Sequence, residues 1–558
     1  MWEPTGKVLA QYYIRRVALR SRGRIGSWEA MGKKRGVPAN RCVEARCIAL
    51  IAALISGLLI GWSVPSKAAS WTPLTSLAPD FAGTMILLTD GTVMVQGGSA
   101  ATGTNGPESG WMKLTPNMSG SYINGTWSTL ASMSTARLYF ASNVLPNGNL
   151  WVLGGEYTGN PLTANFANTG EVYNPITNSW SPIAHHPEAN FGDDPSMLLP
   201  NGKILAGSIS TRNTYLYDIA SNTWSFAAAK VYNDRSDEEG WVKLPGNKVL
   251  TYDIFMSIAT LGSYAEVYDP ANNMWSSISP SDGTASGFIP QLSSNNGPNL
   301  CCGFELGPLL RLKDGRIFVI GATGHTALYT PSTNTWAAGP DIVSSSKLFG
   351  ADDAPAAVMP NGHVLFAADA GPQGNTFSPP TLIFDFDPTT NTISTAAPAI
   401  PDVNLVNIPA FVTRMLMLPT GQVLFADSSR QLYAYTPDGP PDPGSRPVIN
   451  NITYNGAGLF TLTGKQLTGQ SAGSNYGDDV ESDENFPIVR LTNATGVFYA
   501  RTTNWSSVDV GGGLGLQTVD FTLHPGMTPG NYSLVVIGAG ISSFPVFVNI
   551  TGLEVADL

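Results

Sequence analysis

Only 13% of the 558 residues are charged, yet four short segments concentrate carboxylates: NFGDDPSM (190–197), NDRSDEEGW (233–241), CCGFELG (301–307) and FGADDAPA (349–356). They supply Asp193, Asp194, Asp237, Glu238, Glu239, Glu305, Asp352 and Asp353, and Arg137, Tyr139, Arg235 and Arg414 stand at related places along the chain. Like charges crowded together cost free energy unless something compensates. A divalent cation such as Ca²⁺ would neutralise them through hard oxygen ligands. Carboxylates also accept hydrogen bonds from sugar hydroxyls, or share a proton so that one acts as acid and another as base in glycoside cleavage. For cleavage the candidates are Asp193, Glu238 and Asp353, supported by Tyr139 and Arg414; Arg137, Asp194, Asp237, Glu239, Glu305, Asp352 and Arg414 are candidates for holding substrate. A plainer reading has each Asp capping a loop through backbone N–H groups. Tyr139, Phe191, Trp241 and Phe349 lie near the same segments and either stack on sugar rings or pack between structural units, packing being the expectation for Trp241.

The elements that must position these residues are repetitive. LLTDGTVMVQGG (87–98), VLPNGNLWVLGG (144–155), LLPNGKILAG (198–207), LPGNKVLTYD (244–253), LKDGRIFVIGA (312–322), MPNGHVLFAAD (359–369) and LPTGQVLFAD (418–427) each join two apolar stretches through a turn rich in Gly, Asn and Asp. These are β-hairpins. A second hairpin follows most of them, in EVYNPITNSW (171–180), YLYDIASNTW (215–224), EVYDPANNMW (266–275), ALYTPSTNTW (327–336) and the degenerate IFDFDPTTNTI (383–393). Its Trp is expected to pack between neighbouring units. Two hairpins per repeat give four strands, the pattern of a kelch-type β-propeller blade, and seven blades are expected over residues 69–438. In such a ring the residues before each blade's innermost strand line the central channel at one face, and the carboxylate segments occupy those positions.

Closure follows from the ends. The last repeat lacks its outer strand, whereas an orphan WTPLTSL (71–77) stands at the front, so the N-terminal strand should complete blade seven and leave no open edge. In blade one the outer hairpin is displaced to about 111–130 by a Gly-rich insertion at 97–110. A Pro-rich linker (439–447) then leads to alternating strands over 448–558, which suit an Ig-like β-sandwich. The fold class is all-β.

Charge and cysteine use bound the setting. Of 30 basic and 41 acidic residues, 12 and three lie in 1–69, leaving 18 against 38 beyond. So negative a surface repels phosphate backbones, and no nucleic-acid partner is expected. The basic start, the apolar run CIALIAALISGLLIGW (47–62) and Ser66-Lys67-Ala68 read as a secretory signal over 1–68, with Met31 an alternative start and no stable membrane span after cleavage. Secretion, or a periplasmic or cell-surface location, is the expectation. Beyond the signal only Cys301 and Cys302 remain, so no disulfide framework is expected. A further acidic loop, SNYGDDVESDENFP (474–487), lacks the EF-hand pattern. Phosphate-loop, Rossmann, G-x-S-x-G, H-E-x-x-H and sialidase Asp-box motifs are absent from the sequence.

The order of parts, an export signal, seven kelch-type blades, a Pro-rich joint and an Ig-like domain, resembles the galactose oxidase and glyoxal oxidase group of copper-radical enzymes. That resemblance implies copper held by two tyrosines and two histidines, one tyrosine cross-linked to cysteine. Tyr139 stands where the cross-linked tyrosine belongs, but Ala82 replaces the cysteine, Phe411-Val412 the Tyr-His pair and Gly496 the remaining histidine. Copper is therefore not expected. Binding of extracellular glycan leads, with polysaccharide cleavage and a diverged oxidase as alternatives.

Overall fold

In the computed structural model the described residues are 68–98, 109–159, 163–293, 304–373, 377–471, 485–511 and 515–551. All fall within one unit, Ser66–Leu558. Residues 1–67, on which the expected export signal falls, Cys301-Cys302 and most of the 474–487 acidic loop lie outside them.

Seven antiparallel sheets form the propeller. Their innermost strands are Ala82–Leu87, Ala141–Val144, Ser196–Leu198, Trp241–Lys243, Leu309–Arg311, Ala356–Val358 and Arg414–Met417, defining blades 1 to 7. In blade 1 the outer pair is Trp111–Thr115 and Thr126–Leu130. Blade 5 carries an extra parallel strand, Ser286–Gly287, along its outer edge. The outer strand of blade 7 is Ser70–Pro73, paired antiparallel with Tyr433–Thr436 so that Trp71 faces Tyr435. The chain's front thus clasps its last blade, and the ring has no open edge at the join.

Local sequence explains the blades. In the first hairpin of blade 2, Gly148 takes φ +81°, which its type permits at little cost. In the second hairpins of blades 2 to 5, Asn178, Asn222, Asn273 and Asn334 adopt positive φ. Each accepts a hydrogen bond from the Tyr hydroxyl five residues earlier, at 2.7–3.0 Å. The Trp two residues after each Asn reaches back to the preceding blade. Trp180 Nε1 donates to the Ala131 carbonyl, Trp224 to Ala184 and Trp336 to Ile278, each at 2.9 Å, while Trp275 donates to Thr214 Oγ1 at 3.1 Å. The repeated tryptophan is therefore an inter-blade anchor, apolar across its rings and hydrogen-bonded at its one donor.

The C-terminal β-domain runs from Val448–Gly456 to Val546–Ile550; its strands are hydrogen-bonded along one antiparallel path, except that Val546–Ile550 pairs off it with Gly530–Gly538. It docks on the turns that follow the inner strands of blades 1 and 2: Thr502 N–H donates to Thr89 O at 3.2 Å and Arg501 Nη2 to Asn147 O at 2.8 Å. Phe486, Trp505 and Val508 meet Val144, Leu198 and Lys243 around a small cavity. This domain thus covers the face opposite the carboxylate segments. Among the described residues the only α-helix is Ile254–Thr260, and no helix is long and apolar enough to cross a membrane.

Candidate functional site

Three of the carboxylate residues share a backbone device. Asp193, Glu238 and Asp353 each stand three residues before an inner strand and adopt left-handed φ of 55°, 61° and 51°. Tyr139, two residues before its strand, has φ 53°. Such conformations cost a non-glycine residue on the order of 1 kcal/mol, and here they recur at one level of the ring. Backbone bonds tie the level together: Glu238 N–H donates to Asp193 O at 2.9 Å and Asp353 N–H to Leu306 O at 3.2 Å.

Carboxylates from blades 3 to 6 meet at this level. Asp193, Asp237 and Glu238 bring oxygens within 4.8 Å of one another, and so do Glu238, Glu305 and Asp353. Glu238 belongs to both triads and makes them one group. Burial, reinforced by the charges of Asp353 and Glu238, lifts Glu305 well above the usual carboxylate range. Its Oε2 is buried without a hydrogen-bond partner. Burial also raises Asp237, against the pull of Arg235, whose Nε donates to Asp237 Oδ2 at 2.7 Å. Arg235 lies over the Phe255 ring at 3.8 Å, and Phe255 stacks on the partly exposed Phe304 at 4.8 Å. Glu156 and Tyr157 join the edge of the group: burial and then Asp237 raise Glu156, and burial and then Glu156 push Tyr157 up to about 12.

Other residues expected to hold substrate are buried. Arg137 is buried and turns into blade 2, donating to Gly154 O and Thr169 O at 2.7 Å each and pairing with Glu171 at 3.5 Å. Arg414 is buried too, and its Nη1 donates to the carbonyls of Phe411 and Thr413. Asp194 and Asp352 are fully enclosed; Asp352 accepts Phe377 N–H at 2.8 Å. Glu239 faces inward to Lys230, Thr251 and Trp241. These five are buried, and the hydrogen bonds they make run to loops and blades. Phe191, Trp241 and Phe349 are likewise core residues, packed against His186, Trp275 and Phe384. Tyr139 remains half-buried, edge-on to Tyr157 at 6.0 Å.

Glu239 belongs to a second, buried group whose other members were not singled out from sequence. Asp234, Glu239 and Asp253 bring oxygens within 4.8 Å of one another around the Lys230 ammonium. Burial pushes Glu239 up to about 8. Asp369, beside Asp352, is likewise raised to about 8 by burial and then by Asp352. Nothing in the local sequence of Asp253 and Asp369 distinguishes them from the exposed turn aspartates.

The residues do not fit the copper that the oxidase resemblance implies. Every member of the three clustered ligand groups among the described residues is a carboxylate, whereas copper favours imidazole and sulfur. His325 pairs with Asp341 at 2.8 Å, and His363 with Asp385 at 2.8 Å. His185 is exposed, and the ring of His524 accepts Gly526 N–H. His186 is enclosed by Phe191, Tyr215 and Trp224, and burial lowers its pKa to about 4. A folded-state value below the unfolded 6.5 means that stability falls as pH drops from about 6.5 to about 4 and levels off below, an effect of about 3 kcal/mol. Urea unfolding at several pH values should show that slope in wild type and a flatter one in His186→Phe. Equal slopes would refute the assignment.

The comparisons with known proteins bear on the fold. No curated protein matches the chain in sequence. A fungal alcohol oxidase of the AA5 family, solved with copper, is 15% identical, covers 87% of this chain and 100% of its own, and gives a TM-score of 0.48. The structure of YjhT is 14% identical over 58% of this chain and 99% of its own, with a TM-score of 0.37. YCF48 bound to D1 peptide is 15% identical over 68% and 98%, with a TM-score of 0.39. The kelch motif family matches residues 137–187, which span all four strands of blade 2. The chain is thus a seven-bladed β-propeller with a kelch motif in blade 2.

Proposed function

We propose that this chain is a secreted, periplasmic or cell-surface protein that binds extracellular carbohydrate at the carboxylate group of the channel mouth. The observation that carries the proposal is the meeting of Asp193, Asp237, Glu238, Glu305 and Asp353 from four blades. Their oxygens are a dense set of acceptors for sugar hydroxyls, and charge-assisted hydrogen bonds are the stronger kind. Phe255 and Phe304, beside Arg235, add a flat apolar face of the sort that packs on a sugar ring. The C-terminal domain covers the opposite face, so a ligand approaches from the carboxylate side.

A glycan array probed with the full chain tests this. Glu238→Gln should weaken binding by about 10- to 100-fold, the equivalent of one charge-assisted hydrogen bond. Its melting temperature should be no lower, since the change relieves repulsion among neighbouring carboxylates. Undiminished binding, or no glycan bound by wild type, would refute the reading. Hard oxygen donors of this kind also suit Ca²⁺, so the array is run with calcium and with chelator.

Polysaccharide cleavage is the second reading, favoured by Glu305. A carboxyl that burial and the charges of Asp353 and Glu238 push towards its neutral form is the environment of an acid in an acid/base pair. Product analysis separates the two readings: an enzyme releases shortened oligosaccharides and loses that activity in Glu238→Gln while retaining some binding. A binder releases none.

A further inference from the structure

The group around Lys230 is a different chemical object from the channel mouth. Lys230 follows the outer strand of blade 3, Thr223–Ala229, whereas Asp253 follows the second strand of blade 4, Val249–Tyr252. Glu239 lies two residues before the inner strand of that blade. All three side chains are fully enclosed. Lys230 Nζ stands 3.0 Å from Asp253 Oδ1 and touches Glu239 Oε1. The other Glu239 oxygen is held by Thr251 Oγ1 at 3.1 Å and Trp241 Nε1 at 3.4 Å. The Asp253 carboxyl receives no hydrogen bond, although it caps the start of the helix Ile254–Thr260.

We propose that Lys230 and Asp253 join through an intramolecular isopeptide bond between blades 3 and 4, with Glu239 as the proton relay. Lys230 passes a proton to Glu239, and the neutral amine adds to Cγ of Asp253. Glu239 returns the proton to the departing Asp253 oxygen, which leaves as water with the second proton of the former ammonium. An Nζ–Cγ amide forms, one C–O bond breaks, and ammonium plus carboxylate become amide plus water with no oxidant, metal or outside reagent.

Three features favour this course over a static ion pair. Lys230 Nζ lies 3.0 Å from Asp253 Oδ1 in an enclosed site, and well-oriented intramolecular reactions reach effective molarities of about 10⁵–10⁸ M. The surrounding carboxylates hold Lys230 in its charged form, so the reaction needs a proton acceptor in contact with it, and Glu239, which burial pushes up to about 8, touches Nζ. Glu239 is fixed by two donors in contact with the amine, whereas the electrophile has none to lose. Such a link would bridge two blades in a chain whose only cysteines beyond position 47 are Cys301 and Cys302.

Peptide mapping of the full wild-type chain tests it directly. Trypsin should fail to cut after Lys230, so that peptide 213–235 is recovered joined to peptide 249–311, one water lighter than their sum. Fragmentation should place the branch at Lys230 and Asp253, and Glu239→Gln should release the two as separate peptides. Separate peptides 213–230 and 249–311 at their sequence masses in wild type would overturn the proposal. So would a branch from Lys230 to the Glu239 peptide, 236–243. The wild-type map alone decides the question, whether or not the Glu239 variant folds.

Discussion

Relative to the chain before the Lys230–Asp253 link forms, replacing Lys230 with Met should cost about 3–5 kcal/mol of folding stability, the range for removing one partner of a buried ionic group. The side chain is fully enclosed and stands between Glu239 and Asp253, with Asp234 and Glu266 close by. Met fills the aliphatic space of the stem and removes the charge. The acids left behind must then stay protonated or bear charge in the interior. Burial raises Glu239, Asp253, Asp234 and Glu266 above their unfolded values even with Lys230 present. A raised folded pKa gives stability that is present below the unfolded pKa and lost as pH climbs through the folded one. The gap between wild type and variant should therefore be smallest near pH 4 and widen towards pH 8. Urea titrations across that range measure it, and adding Glu239→Leu should recover part of the loss. A variant as stable as wild type at pH 8 would show that the ammonium does not hold this group together.

Trp71→Ala should cost a similar amount, about 3–5 kcal/mol, as a large buried aromatic removed from a packed sheet. Trp71 lies 4.7 Å from the Tyr435 ring and 5.7 Å from Phe425, and its indole N–H makes no hydrogen bond, so the loss is one of packing. Its strand is the last element of the ring. Removing residues 68–73 altogether would bare the edge strand Tyr433–Thr436, and such an edge pairs with other chains. The truncated protein should then self-associate, which light scattering would register, in addition to unfolding at lower urea. Retention of monomeric behaviour and full stability would mean that blade 7 does not depend on its clasp.

Particular residues show what could be read in advance. The repeated turn glycines and asparagines, the Trp after each outer hairpin and the orphan strand at the front specified blade number and closure, because each is a local requirement of backbone or packing. The acid-rich segments before the inner strands were legible for the same reason: topology fixes where such loops emerge. Their division was not legible. In NDRSDEEGW, Glu238 and Glu239 are neighbours of the same type, yet Glu238 joins the channel group while Glu239 turns to Lys230. A left-handed φ at Glu238 sets the two side chains apart, and no residue type in that stretch announces it.

Arg137 and Arg414 show the same limit, since a guanidinium near a mouth is equally able to satisfy carbonyls of its own blade. Glu156, Lys230, Asp253 and Asp369 went unnoticed because each is an ordinary residue in an ordinary turn until chain segments far apart in sequence are brought together. Sequence alone thus determined the all-β class, the seven repeats and the ring level at which carboxylates gather, which follow from local patterns, and the clasp, which follows from a strand missing at one end of the repeats and an orphan strand at the other. Only the tertiary structure decided which acids face the channel and which are enclosed, because charge, burial and partner depend on contacts between blades.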